Sequence, residues 1–359
     1  MFKSILDQPD IYKLDRLKIY ESILGLPSQI ENAWIQTSNQ TLHTNCSLAK
    51  NIVIAGMGGS ALSGRIIRSL DQYILNVPLE VVTNYRLPNY VDKNTFVILS
   101  SYSGNTEETL SAGLDAIHRG TKIFCITTGG KLLAFAKKNK LDYYQIDPAD
   151  NPSNQPRMGL GYSITAVFAV LARCGFINFT DHDVKDINSL LAGMTNQFLK
   201  ETPFEKNPAK VLADKLRDRA VIFVSANHLN GTIHAVKNMI NENSKTFAAA
   251  FDLPELDHHF LEGLSLPKSL KESLHFILIN SDHYPKVIQR RLSITRQILT
   301  KHGFVSTVIK PESTHPTLQA FETLYFGSFL SFYLAMLYRI DPGPIPSVDY
   351  LKSQLSKPE

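Results

Sequence analysis

The chain has 359 residues, 43% of them apolar, which is enough for two ordinary domains that each bury a core. Its 37 basic and 33 acidic residues leave a formal charge of +4 and are interspersed along the chain, which excludes the long basic run of a nucleic-acid-binding tail. Cys46, Cys125 and Cys174 lie far apart and form no CxxC pair, so neither a disulfide framework nor a zinc cluster is expected, and a reducing cytoplasm is.

In chain order, Asp7 and Asp10 interrupt the N-terminal stretch where a secretory signal needs an apolar run. Short runs rich in β-branched residues then alternate with amphipathic stretches, the pattern of a parallel sheet covered by helices. The expected strands are "NIVIA" (51–55), "LEVVT" (79–83), "TFVILS" (95–100), "KIFCIT" (122–127) and "DYYQID" (142–147), with a helix over 107–118 among those between them. "GLGYSITAVFAVLARCGF" and "DINSLLAGMTNQFLKE" read as helices closing a first domain, with a boundary at 185/186. The pattern restarts with "AVIFVSA" (220–226), "KTFAAAF" (245–251), "HFILIN" (275–280) and "VSTVIK" (305–310). The class is therefore α/β with two similar doubly wound domains, 1–185 and 186–359, each expected to carry a mostly parallel five-stranded sheet. The uncharged stretch 323–338 falls short of the roughly 20 residues needed to cross a bilayer and reads as a buried helix.

"IAGMGGSALSG" (54–64) follows the first strand, and Gly56, Gly58 and Ala61 match a relaxed G-x-G-x-x-A dinucleotide fingerprint. That fingerprint wants an acidic residue about 20 positions later to hold the ribose, yet "VVTNYR" offers Thr83, Asn84 and Arg86. NAD is disfavoured, NADP would rest on Arg86 alone, and no cofactor is expected. A second loop, "SSYSGNTEET" (100–109), supplies Ser101, Ser103 and Thr106 at the start of a helix. Hydroxyls and orphan N–H groups at a helix N-terminus hold a phosphate without Lys or Arg, because the helix dipole supplies the positive potential. The same stretch also reads as a plain capped helix, with Asn105 as N-cap and Glu108 as its capping-box partner. In an open α/β sheet the loops leaving neighbouring strands converge on one crevice, which favours Gly58, Gly59 and Ser60 acting with Ser101, Ser103 and Thr106 on a single phosphate.

"GMGGSALSG" and "SYSGNTEET" resemble the two phosphate-binding loops of SIS (sugar isomerase) domains. Nearly the whole chain resembles the bifunctional phosphoglucose/phosphomannose isomerases of bacteria and archaea. That resemblance implies a cofactor-free aldose-ketose isomerase interconverting glucose 6-phosphate, and mannose 6-phosphate as well, with fructose 6-phosphate through a cis-enediolate. "NENSK" (241–245) is similar to the family's N-E-N-[AS]-K motif, which implies that Glu242 is the base for C1/C2 proton transfer. "QPRMGLGY" (155–162) is similar to Q-P-R-x-x-L-G-Y, which implies that Arg157 steadies the enediolate. Lys352 in the terminal L-K-x-x-L pattern is implied to assist ring opening or charge stabilisation.

In "PELDHHF" (254–260), adjacent histidines on extended backbone point in opposite directions, so His258 and His259 cannot both face one substrate. The family's E-L-N-H-N-E aligns His258 with a ring-opening histidine supplied by a neighbouring subunit, implying a homodimer. Asp257, His259 and Phe260 depart from that pattern. So does the segment 340–359, which lacks the threonine that makes room for both C2 epimers in the family; Gly343 and Ser347 are the candidates for equivalent space. His228 and His234 are six positions apart, off the i, i+4 spacing of a helical metal site, and no HExxH occurs, so no metal is expected. A non-catalytic sugar-phosphate sensor is the alternative, since it needs the phosphate loops but no base.

Overall fold

The structure is a computed structural model that describes residues 4–355. In the first half the elements run α1 (Ile19–Leu24), α2 (Leu26–Asn39), β1 (Asn51–Ala55), α3 (Gly59–Ser69), α4 (Asp71–Ile74), β2 (Leu79–Val82), β3 (Thr95–Ser100), α5 (Glu107–His118), β4 (Lys122–Thr127), α6 (Gly130–Lys138), β5 (Asp142–Gln145) and α7 (Leu160–Arg173). The five strands form one parallel sheet in the order β2-β1-β3-β4-β5. Both faces are covered, and the period-2 alternation shows it: Ile52, Ile54, Phe96 and Ile98 enter a large core, while Val53, Ala55, Val97 and Leu99 enter a smaller one under α5 and α6.

The second half continues with α8 (Asp181–Phe198), α9 (Pro208–Leu216), β6 (Ala220–Ala226), α10 (Asn230–Asn243), β7 (Ala248–Leu253), α11 (Leu270–Ser273), β8 (Leu274–Ile279), α12 (Lys286–Lys301), β9 (Val305–Ile309), α13 (Pro316–Leu337) and α14 (Pro346–Leu355). Its sheet is parallel too, in the order β7-β6-β8-β9, and has four strands rather than the five expected. After β9 the described residues form no further strand, because the apolar ones are collected in α13, which packs on α9 and α10. β7 also starts three residues later than the sequence suggests. Lys245 takes a left-handed φ of 54°, and the Asn241 amide then brackets Ala248, accepting from its N–H at 2.9 Å and donating to its carbonyl at 3.0 Å.

α13 is 22 residues long, which is long and apolar enough to cross a bilayer, so the length argument made from the uncharged stretch alone fails. Its burial decides the matter: 89% of the apolar window lies inside the protein, and the helix joins the two halves through one continuous core with α7. Cys46 and Cys174, expected to be free, form a disulfide with their Cα atoms 5.6 Å apart. It ties the loop before β1 to the residue capping α7, a pairing across 128 residues that no local spacing announces. The cysteine argument for a reducing compartment therefore falls away. Cys125 remains free and buried in β4.

Candidate active site

The strand order 2-1-3-4-5 reverses direction between β1 and β3, and in such sheets ligands bind in the crevice outside the carboxyl ends of the strands at this switch point. The two hydroxyl-bearing loops leave the sheet at that point. They are joined directly: the Ser60 hydroxyl accepts a hydrogen bond from the Tyr102 N–H at 2.9 Å, and the Ser101 and Thr106 hydroxyls bond each other at 2.8 Å. At Gly56 a Cβ would come within 2.7 Å of the Ser100 carbonyl, so only glycine lets the tips of β1 and β3 lie this close.

Asn105 does not cap α5. Thr106 occupies the N-cap without a side-chain hydrogen bond, while the Asn105 amide donates to the Ser103 carbonyl and its oxygen accepts from the Lys131 N–H. The capping box with Glu108 is thus absent, although Glu107 and Glu108 in the first turn still complement the helix dipole. Gly58 and Ser103 are exposed, whereas Ser60 and Ser101 are buried behind them. A cavity of about 10 Å³ between Ser60, Tyr102 and Pro156 has room for about one water, so a phosphate has space only on the open side, against Gly58 and Ser103.

Arg157 packs against the same glycine turn. A Cβ on Gly59 would lie 3.0 Å from the Arg157 backbone nitrogen. The side chain is 1% exposed, and each part of its fork is used: Nε donates to Asn243 Oδ1 at 2.6 Å, Nη1 to Gln155 Oε1 at 2.8 Å, and Nη2 to the carbonyls of Pro342 and Gly343 at 3.0 and 2.8 Å. Nη1 also reaches Glu242 Oε2 at 3.3 Å, an ion pair between a buried arginine and a partly exposed carboxylate that links the two halves of the chain. Burial raises the Glu242 pKa above the usual carboxylate range, while Arg157, Lys352 and Lys245 pull it back down. A carboxylate made more basic by desolvation and held beside a fixed cation is suited to taking and returning a proton.

Lys352 lies on the exposed α14 and acts on Glu242 through its charge. His258 sits on the far side of β7 from Glu242 in the chain, in a 3-10 turn (Glu255–His258) rather than on the extended backbone expected. It is exposed and makes no hydrogen bond or ion pair among the described residues, whereas His259 pairs with Glu255 at 3.8 Å and Asp257 with Arg291 at 3.1 Å. Glu242, Arg157 and the two loops are thus brought together within one chain, and His258 stands apart from them. Gly343, one candidate for epimer space, presents its carbonyl to Arg157, while Ser347 is exposed at the start of α14.

Asn243 and Lys245 were missed as functional residues, although "NENSK" contains both. Lys245 Nζ donates to the carbonyls of Glu242, Asn243, Asp341 and Pro342 at 2.9 to 3.3 Å, tying the helix end that carries Glu242 to the turn that launches α14. Burial, followed by the charge of Arg157, lowers its pKa to about 8. The signal was the motif itself, whose two asparagines and lysine read locally as a polar helix end. Among the described residues no group of three or more His, Cys, Asp or Glu is placed to hold a metal ion.

Comparison with known proteins identifies the chain's relatives. Residues 205–355 match the family model described as the bacterial phospho-glucose isomerase C-terminal SIS domain. The chain is 35% identical to the bifunctional phosphoglucose/phosphomannose isomerase of Caldicellulosiruptor bescii, over 94% of this chain and 99% of that protein. It is 30% identical to the enzyme of the same name from Aquifex aeolicus, over 95% of this chain and 99% of that one. Among solved structures, a hypothetical protein from Thermus thermophilus shares the fold with a TM-score of 0.74 at 16% identity, covering 97% of this chain and 95% of that one. With relatives this similar end to end, the chain belongs to the bifunctional phosphoglucose/phosphomannose isomerase family.

Proposed function

We propose that this chain interconverts glucose 6-phosphate, and mannose 6-phosphate, with fructose 6-phosphate, using the groups assembled at the β1/β3 switch point. Membership of the family makes it a sugar-phosphate isomerase, an enzyme whose substrate is a sugar phosphate. The observation that carries the residue assignment is the ion pair between buried Arg157 and Glu242, packed on the Gly58–Ser60 turn.

In this reading the phosphate rests on the open side against Gly58, Gly59 and Ser103, while Ser60, Ser101 and Thr106 behind them hold the two loops together, with the first turns of α3 and α5 directed at it. The hexose then extends towards Glu242, which removes the proton from C2 of the open-chain aldose and returns it to C1. Electrons move from the C–H bond into the C1–C2 bond and on to the carbonyl oxygen, Arg157 steadies the resulting enediolate, and the O2 hydroxyl proton passes to O1 as C1 is protonated, which leaves the carbonyl on C2. His258 opens the ring from the neighbouring subunit of a homodimer, an assignment supported by its exposure and its lack of a side-chain partner among the described residues. Lys352 adds positive charge. The two domains divide at 185/186, within α8.

Glu242→Gln keeps the shape and removes the base. It is expected to cut kcat about 10²- to 10⁴-fold while sugar-phosphate affinity measured by calorimetry stays within a few-fold. Retained turnover would reject Glu242 as the base, and unaltered turnover of the wild type in a coupled assay with chelator is the matching check on the absence of a metal. Mixing inactive Glu242→Gln and His258→Ala subunits after dissociation is expected to restore part of the activity, because a mixed dimer holds one site with both groups intact. No recovery in verified mixed dimers would place the ring-opening group elsewhere.

A further inference from the structure

A second cavity lies away from these groups. It holds about 450 Å³, within the range of small-ligand sites, and lies between α3 of the first half and the carboxyl ends of β6 and β7 in the second. Its wall carries Arg65 and Arg68 from successive turns of α3, His234 from the second turn of α10, Asn227 and Asn230 where α10 begins, and Asp252.

Three features set this cavity apart from a solvated crease. First, neither guanidinium makes a hydrogen bond or ion pair among the described residues, although Arg65 is half-buried. Without an ion-pair partner, both guanidinium forks keep their donors available to an anion that enters the cleft. Second, the cations are not neutralised by their surroundings. Lys237 lies near Arg65 and His234, and Asp252, the cavity's carboxylate, is exposed. Burial, then Lys237 and Arg65, hold the His234 pKa down to about 4, so its ring is neutral and able to accept or donate at pH 7.

Third, the backbone fixes the arrangement. A Cβ on Gly231 would come within 2.1 Å of the Arg65 carbonyl, so only glycine lets the first turn of α10 rest directly on α3. That contact holds the α10 N-terminus and the arginine pair in one orientation, with the hydroxyl of Ser225 donating to Asn230 at 2.8 Å behind them. Guanidinium forks, side-chain amides and a helix N-terminus are together the chemistry that recognises a phosphate monoester. The volume exceeds that of bare phosphate and suits a phosphorylated metabolite of about hexose size.

We propose that the cleft formed by Arg65, Arg68, His234 and the start of α10 is a second anion site, separate from the catalytic one, that binds a small phosphate monoester. The inference does not depend on the catalytic assignment. Both helices that line the cleft run on to catalytic groups at their other ends, α3 beginning at Gly59 and α10 carrying Glu242 in its last turn.

The test is calorimetric titration of the full chain with glycerol 3-phosphate and with inorganic phosphate, in a Ser103→Ala/Thr106→Val background that weakens the catalytic phosphate site. Adding Arg65→Met and Arg68→Met is expected to weaken glycerol 3-phosphate binding about tenfold or more, and Arg68→Met alone several-fold. On its own, the Arg65→Met/Arg68→Met pair should leave the isomerase KM for fructose 6-phosphate unchanged. Circular dichroism melts and the milder single variant separate lost binding from lost folding. Affinity unchanged by both the single and the double variant overturns the proposal. So does sedimentation showing that the arginine variants alter the oligomeric state while leaving anion binding intact, because the cleft would then be a subunit contact. If instead Ser103→Ala/Thr106→Val fails to raise KM, the catalytic reading fails while the arginine effect still stands.

Discussion

The two sheets share a strand order, 2-1-3-4, and differ at the point where that order reverses. In the first sheet the crevice between β1 and β3 is open, and Tyr102 N–H meets only the small hydroxyl of Ser60. In the second the equivalent space is filled. The Ala226 N–H at the end of β6 donates to the hydroxyl of Tyr284, whose ring comes from the loop after β8 and is 2% exposed. His228, fully buried, stacks edge-on against that ring, and its Nε2 meets Gln319 Oε1 at 2.9 Å. Burial pushes the His228 pKa down to about 4, so the plug carries no charge. The same topology therefore yields an anion-receptive crevice in one half and a packed core in the other, and the loops decide which.

That contrast can be broken from several sides. The largest effect is expected at Arg157, the cation that the second half has no counterpart for at its switch point. Arg157→Lys keeps the charge but abandons acceptors on Asn243, Pro342 and Gly343, and kcat should fall about 10²- to 10³-fold in a coupled assay.

A smaller and more selective effect separates the two crevices. Ser103→Ala in the open one should raise KM several-fold to about tenfold with kcat little changed, as the loss of a hydrogen bond to a charged group does. Tyr284→Phe in the filled one leaves the Ala226 N–H unsatisfied and should lower stability by about 1–3 kcal/mol in a denaturant titration without moving KM. A kinetic effect of Tyr284→Phe would mean that the second crevice is not a mere plug.

The smallest expected effect concerns pH. Glu242 must be ionised to act as a base, so kcat/KM falls as pH drops through its raised pKa, placing the acid limb above the ordinary carboxylate range. Lys352 holds that pKa down, so Lys352→Met should move the limb to higher pH, and added salt should shrink the difference because the lysine is exposed. A limb that moves to lower pH would reverse the assigned electrostatics.

Much of this was legible in the sequence because it is periodic or local. Alternating residues such as Val53 and Ile54 announce a strand covered on both faces, and each of the nine marked strands is present, though β7 slides by three residues. The glycine turn and the hydroxyl loop were also readable, since each is a short stretch directly after a strand. The fifth strand of the second sheet was expected by analogy with the first rather than from any run of residues, and it is not there. Asn105 looked like a cap from its spacing, yet its amide found partners in Ser103 and Lys131 instead.

What the sequence determined by itself is the type and order of elements and the chemistry held in each loop, because these depend on neighbours a few positions apart. What only the tertiary structure decided is which distant residues meet. Arg157 and Glu242 are paired across 85 residues, Cys46 and Cys174 across 128, and Arg65 is set against the start of α10. Such pairings depend on how helices pack around a shared core, where a single close approach at Gly59 or Gly231 fixes the geometry and no periodicity in the chain encodes the partner.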